Sequence, residues 1–168
     1  MGFSKLPPLM LISGFFWKSR ISIDLNTMSD QCINIRVLVG VSAFMLSVVY
    51  AKCDAHARMS LWEDLFAFNP GDIPWMVGGD FNIVANPEEI NVSGTFPRRE
   101  SWDFVEFMAC NGLSDTCYFG DPFTWCKNQR GNSRSWSRLD RCLVNGPALS
   151  SFPIIKVLHL VRGISDHS

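Results

Sequence analysis

The most apolar stretch of the chain, residues 37–51, is bracketed by Arg36 and Lys52 and is shorter than the roughly twenty residues a membrane-spanning helix needs. Gly40, Val41 and Ser42 divide it into two β-rich pieces, which predicts a hairpin. Such a hairpin leaves an apolar sheet face to cover, and two helical patterns are available for it. Met59, Trp62, Leu65 and Phe66 recur at helical spacing over 56–68, and Asn69-Pro70-Gly71 stops that helix. Trp102, Phe104, Val105 and Met108 supply the apolar face of a second helix over 98–111, ended by Asn111-Gly112. Strands are expected at 15–17, 21–25, 33–39, 44–50, 73–77, 123–126, 137–144 and 154–160. Strands and helices that alternate loosely, with antiparallel hairpins among them, define an α/β protein with a mixed sheet covered by helices.

A chain of 168 residues suits one domain, and its apolar content is ample for a packed core, which excludes global disorder. Six cysteines show no C-x-x-C pair and no zinc-ligand spacing with the histidines; they read as reduced, mostly buried thiols, with an extracellular disulfide framework as the alternative that the even count leaves open. The first residues carry two prolines and no small-residue cleavage site, unlike a signal peptide, and no membrane or obligate protein partner is expected. A net charge of −1 hides an uneven distribution. Lys127, Arg130, Arg134, Arg138 and Arg141 face Asp140 alone in one short stretch beside Trp125 and Trp136. Such a run suits a phosphate backbone, or else a solvated basic loop.

The apolar residues Ile73, Trp75, Met76 and Val77 lead into Gly78-Gly79-Asp80-Phe81-Asn82. On an extended chain Asp80 and Asn82, two apart, point to the same side, where a hard cation or a phosphate oxygen would suit them. The same residues also fit a turn in which Asp and Asn side chains bond their own backbone.

Four motifs follow one another: Val49-Tyr50-Ala51, Gly78-Gly79-Asp80-Phe81-Asn82, Ser137-Arg138-Leu139-Asp140-Arg141 and Ser165-Asp166-His167-Ser168. The ordered set resembles the endonuclease/exonuclease/phosphatase superfamily, with its DNase I-like sandwich of mixed β-sheets flanked by helices. Phe123-Thr124-Trp125, with Arg58 and Trp62, is similar to the endonuclease domain of plant LINE-type (non-LTR) retrotransposons. The resemblance covers about residues 12–168, the C-terminal two-thirds of such a domain, leaves 1–11 unassigned, and implies a sandwich incomplete at both ends.

What this resemblance implies is hydrolysis of a DNA phosphodiester with Mg²⁺, or Mn²⁺ in its place. Asp80 would orient or activate the attacking water, and Asn82 would hold that water or a phosphate oxygen. Asp140 would set the tautomer of His167, which contacts the phosphate; Tyr50 would bind the phosphate and Asp166 would sit beside the metal. Arg130, Arg134 and Arg138 are the candidate nucleic-acid contacts. Bland alternatives stand beside each role: Asp140 paired with a neighbouring arginine at the surface, His167 in a frayed tail, Tyr50 in the core.

Two departures accompany the resemblance. The family's opening-strand asparagine motif and its early metal-binding glutamate have no counterpart, since no glutamate precedes Glu63 and the only early carboxylates are Asp24 and Asp30; the expectation is hydrolysis impaired by the loss of both motifs. Where the family often reads Tyr-Ala-Pro-Asn, this chain has Tyr50-Ala51-Lys52-Cys53. The alternative expectation is therefore a non-catalytic retroelement remnant that at most binds nucleic acid weakly.

Overall fold

The computed structural model describes residues 21–91, 96–127, 135–163 and 165–168. The segment 1–11 and the expected strand at 15–17 lie outside them. Three antiparallel strands, β1 (Ile21–Met28), β2 (Cys32–Val39) and β3 (Ser42–Tyr50), open the fold, and the expected hairpin is β2–β3 with its turn at Gly40 and Val41. The next strand, β4 (Trp75–Asp80), lies parallel to β3. A parallel step needs a crossover, and α1 (Ala55–Phe68) supplies it. Asp54 starts that helix by accepting a hydrogen bond from the Ala57 N–H at 2.8 Å.

The chain then passes through β5 (Ile90–Asn91), α2 (Arg98–Cys110), β6 (Leu113–Asp115), β7 (Tyr118–Phe119), β8 (Trp125–Lys127) and β9 (Ser135–Ser137). It continues as β10 (Asp140–Asn145), α3 (Gly146–Ser151) and β11 (Val157–Leu158). The main sheet has the order β1-β2-β3-β4-β10-β6; a second sheet is β5-β9-β8, and β7 pairs with β11. This mixed set of sheets flanked by helices is a DNase I-like architecture.

The core joins the main sheet to α1 and α2. Trp75, Val77, Phe81 and Leu143 from the sheet side meet Leu61, Trp62 and Leu65 of α1 and Phe104 and Phe107 of α2. Trp62 is the hinge of the aromatic group, stacked at 4.7 Å on Phe107 and 5.4 Å from Phe104.

Both helices fall where their patterns predict, but their faces are rotated. In α1, Met59 and Phe66 are exposed while Arg58 and Leu61 are buried with Trp62 and Leu65. In α2, Trp102 and Val105 are exposed while Ser101 and Phe107 join Phe104 inside. Each helix carries apolar residues around more than one side, so spacing admits two faces and tertiary packing selects one.

Three strand expectations change as well. The β4 strand runs on through Gly78 and Gly79 to Asp80 instead of ending before them. The stretch 137–144 is broken at Arg138-Leu139, and 154–160 keeps only the two residues of β11. All six cysteines are free, but Cys53, Cys110 and Cys117 are exposed. Burial pushes the thiols of Cys32 and Cys142 above their ordinary value. Among the described residues, no helix is long and apolar enough to cross a membrane.

Candidate active site

Strands β3, β4 and β10 are in register so that Tyr50, Asp80 and Asp140 form one row across the main sheet. At Gly79, within this pairing, the β4 backbone leaves no room for a side chain. A Cβ on Gly79 would stand 2.0 Å from the Val49 carbonyl oxygen, and Gly79 has φ +137°, a conformation L side chains rarely adopt. Gly78 has only ordinary clearance, 3.6 Å from the Arg141 oxygen. Gly79→Ala is therefore expected to cost on the order of 2–3 kcal/mol, and Gly78→Ala under about 1 kcal/mol. Chemical denaturation of the two variants side by side measures the difference, and equal costs would refute the close-approach account.

Beyond Gly79 the chain turns sharply. Phe81 is fully buried and donates its N–H to the Leu139 carbonyl at 2.9 Å. Asn82 takes φ +49°, and its N–H donates to Asp80 Oδ1 at 2.8 Å. This is the Asx turn that the motif's composition allowed, and it corrects the extended-chain expectation that Asp80 and Asn82 share a side. Asn82 Nδ2 donates to the Ala51 carbonyl at 2.7 Å, while Oδ1 lies 3.5 Å from Cys53 Sγ. The Asn82 side chain thus ties the turn after β4 to the loop after β3.

Asp80 is buried, with Oδ2 3.9 Å from His167 Nε2. The other ring nitrogen, Nδ1, is 3.0 Å from Asp140 Oδ2. An Nδ1–H donated to that carboxylate leaves Nε2 directed at Asp80, with a gap longer than a hydrogen bond that one bridging oxygen would fill. Burial raises the Asp80 carboxyl above its ordinary value; the Asn82 N–H opposes the rise, the Asp140 and Asp166 charges add to it, and His167 opposes it.

His167 is not in a frayed tail. It forms an antiparallel bridge with Trp125, flanked by Cys126 N–H to the Asp166 carbonyl at 3.0 Å and Ser168 N–H to the Thr124 carbonyl at 2.7 Å. The buried Thr124 Oγ1 accepts the Leu139 and Asp140 N–H groups at 2.9 and 3.0 Å. One threonine therefore holds both the aspartate and the segment that carries its histidine. Asp166 is exposed, and its Oδ2 accepts from Trp125 Nε1 at 3.2 Å. Tyr50 is 56% exposed at the end of the row, outside the core.

Arg58 is a member of the site that helical spacing alone does not suggest. Its side chain is 2% exposed; Nη1 donates to the carbonyls of Lys52, Cys53 and Asn82 at 2.8, 3.2 and 3.1 Å, and Nη2 meets Glu100 Oε2 at 2.6 Å. It fastens the loops after β3 and β4 to both helices.

The basic stretch divides differently from the expectation. Arg130 and Arg134 lie outside the described residues. Arg138 is buried, its guanidinium committed to Glu89 at 3.1 Å and to Asp115 at 2.7 Å, so it is corrected from a nucleic-acid contact to an interior one. Arg141 is likewise buried against Glu89 and Asp115, and Asp140 faces His167 instead of either arginine.

Among the described residues, no group of three or more His, Cys, Asp or Glu side chains is arranged to hold a metal ion. Mg²⁺ takes one or two carboxylates and keeps several waters, and the carboxylates near Asp80 repel one another in a way a cation would relieve. Asp166 is near enough to Asp80 for its charge to be felt there, and the two do not form a cage.

No protein-family model and no curated protein sequence matches the chain. Solved structures do. The endonuclease domain of TRAS1, a telomere-specific non-LTR retrotransposon, superposes with a TM-score of 0.62 at 14% identity, covering 80% of this chain and 60% of that one. A β-hairpin deletion mutant of beta toxin from Staphylococcus aureus gives a TM-score of 0.52 at 14% identity, over 82% of this chain and 53% of that one. The likeness establishes the DNase I-like fold, of which this chain spans about three fifths of the TRAS1 domain's length.

Proposed function

We propose that the chain is a Mg²⁺-dependent DNA endonuclease, with Mn²⁺ as a substitute, that hydrolyses a phosphodiester bond. The observation that carries the reading is the Asp140–His167–Asp80 alignment at the end of β4 and β10, with Nδ1 and Nε2 of one imidazole each turned to a carboxylate. A fold shared with the endonuclease domain of a retrotransposon supports it.

Asp80, kept basic by burial, takes a proton from the attacking water, whose oxygen bonds to phosphorus as the bond from phosphorus to the leaving sugar oxygen breaks and that oxygen takes a proton from solvent. His167 Nε2 donates to a phosphate oxygen, and Asp140 fixes its tautomer and stabilises the imidazolium. Tyr50 at the end of the row offers its hydroxyl to the same phosphate, while Asn82 and Arg58 are positioning residues that hold the surrounding loops. Asp166 would hold a divalent cation, which would supply neutralisation of the phosphate charge.

A second reading, DNA binding without cleavage, is favoured by the sparse carboxylate set, in which the described residues offer no three-ligand metal group. Nicking of supercoiled plasmid separates the two. The first predicts nicked circles that require Mg²⁺ and vanish with chelator. Salt-sensitive binding without nicking would decide for the second.

A further inference from the structure

Beside the His167 row lies a cleft of about 440 Å³, lined among others by Gly120, Trp136, His159, Arg162, Asp166 and Ser168. Its volume is that of a small-ligand site. Three of the chain's buried or half-buried arginines, Arg58, Arg138 and Arg141, are each paired with a carboxylate. Arg162 is different. Among the described residues its guanidinium has no carboxylate partner; its Cζ sits 4.4 Å over the Trp136 ring, and Nη1 is buried without a hydrogen-bond partner.

The two acids that line the cleft are engaged elsewhere. Asp121 Oδ1 accepts the Phe123 N–H at 2.9 Å, and Asp166 Oδ2 accepts the Trp125 indole N–H. His159 is held in place on the wall, stacked on Tyr118 at 4.5 Å with Nδ1 2.6 Å from the Asp121 carbonyl. The cleft thus combines a fixed cation with unused donor capacity, planar aromatic walls, and direct continuity with the proposed scissile centre through Asp166 and Ser168.

We infer that this cleft binds one nucleotide of a DNA strand next to the bond to be cut, with Arg162 on its phosphate and Trp136 and His159 bordering its base. A guanidinium backed by an aromatic ring is preorganised for phosphate, and ring faces accept any base. The inference rests on the nuclease reading for the identity of the strand but not on hydrolysis.

The test is binding of a fluorescein-labelled single-stranded DNA oligonucleotide in chelator, followed by anisotropy across a salt series. Arg162→Gln is expected to weaken binding about tenfold and to reduce the slope of log affinity against log salt by about 0.7, one phosphate's share. Arg162→Lys should restore the slope but only part of the affinity. Unchanged affinity and slope in Arg162→Gln, or no binding by the unaltered chain, would overturn the inference. Plasmid nicking with Mg²⁺ is read in parallel. Arg162-dependent binding without nicking removes the hydrolysis and leaves the cleft; nicking with Arg162-independent binding removes the cleft alone.

Discussion

Asp80→Asn is expected to lower plasmid nicking by roughly 10²–10⁴ fold while making the protein more stable. The carboxamide oxygen can replace Oδ1 as the acceptor of the Asn82 N–H, so the turn survives. What disappears is the charge opposite His167 Nε2 and the group that takes the proton from water. The stability gain follows from the direction of the Asp80 shift. Its folded carboxyl titrates above the ordinary value of 3.8, first because of burial and further because of Asp140 and Asp166. The folded state therefore binds this proton more tightly than the unfolded chain. Ionised Asp80 costs stability at neutral pH, and the cost fades as pH falls through the raised folded value. Asparagine removes it at all pH. Nicking rates and thermal unfolding near neutral pH check both halves; a variant that nicks normally, or melts lower, contradicts the role given to Asp80.

The features legible in the sequence are the ones that depend on neighbours along the chain. The β2–β3 hairpin is announced by a glycine between two β-rich pieces, and α1 and α2 by their spacing and their stops. The pairing of His167 with Asp140 spans 27 residues, and only the ordered motifs of a resembled family suggested it. Other features had no local signal. Arg138 and Arg141 read as surface bases because their partners, Glu89 and Asp115, are 23 to 52 residues away. Arg58 sits in an apolar helix pattern, and its burial becomes intelligible once three carbonyls from two loops converge on it. The departure of Asn82 from an extended chain depends on the Asp80 carboxylate and the Ala51 carbonyl together, a combination that residue types permit without requiring.

The interior charge cluster makes the second large prediction. Glu89 accepts from Arg141 through both oxygens, from Arg138 at 3.1 Å and from the Ala85 N–H at 2.6 Å. Burial alone would raise its carboxyl; the Arg141 hydrogen bond and charge, the Ala85 N–H and the Arg138 charge outweigh burial and hold it below the ordinary 4.5. Glu89→Ala would leave two buried guanidiniums sharing Asp115, a carboxylate already 25% exposed. Breaking a buried pair in this way costs about 3–5 kcal/mol, much of the 5–15 kcal/mol that holds a domain together. The cluster also borders the site, since the Glu89 backbone carbonyl, which Glu89→Ala keeps, accepts the Arg138 N–H two residues before Asp140. Since the folded pKa is depressed, the contribution of Glu89 is complete above the ordinary carboxylate value and is lost as pH falls through the lower folded one. Unfolding by urea at neutral and acid pH should show the deficit of the variant shrinking in acid. The double variant Glu89→Ala, Arg141→Leu restores a one-to-one balance between Arg138 and Asp115, so it should be less destabilised than the two single costs added together. Simple additivity would mean that the cluster is a set of independent contacts, and the proposed charge balance would then be wrong.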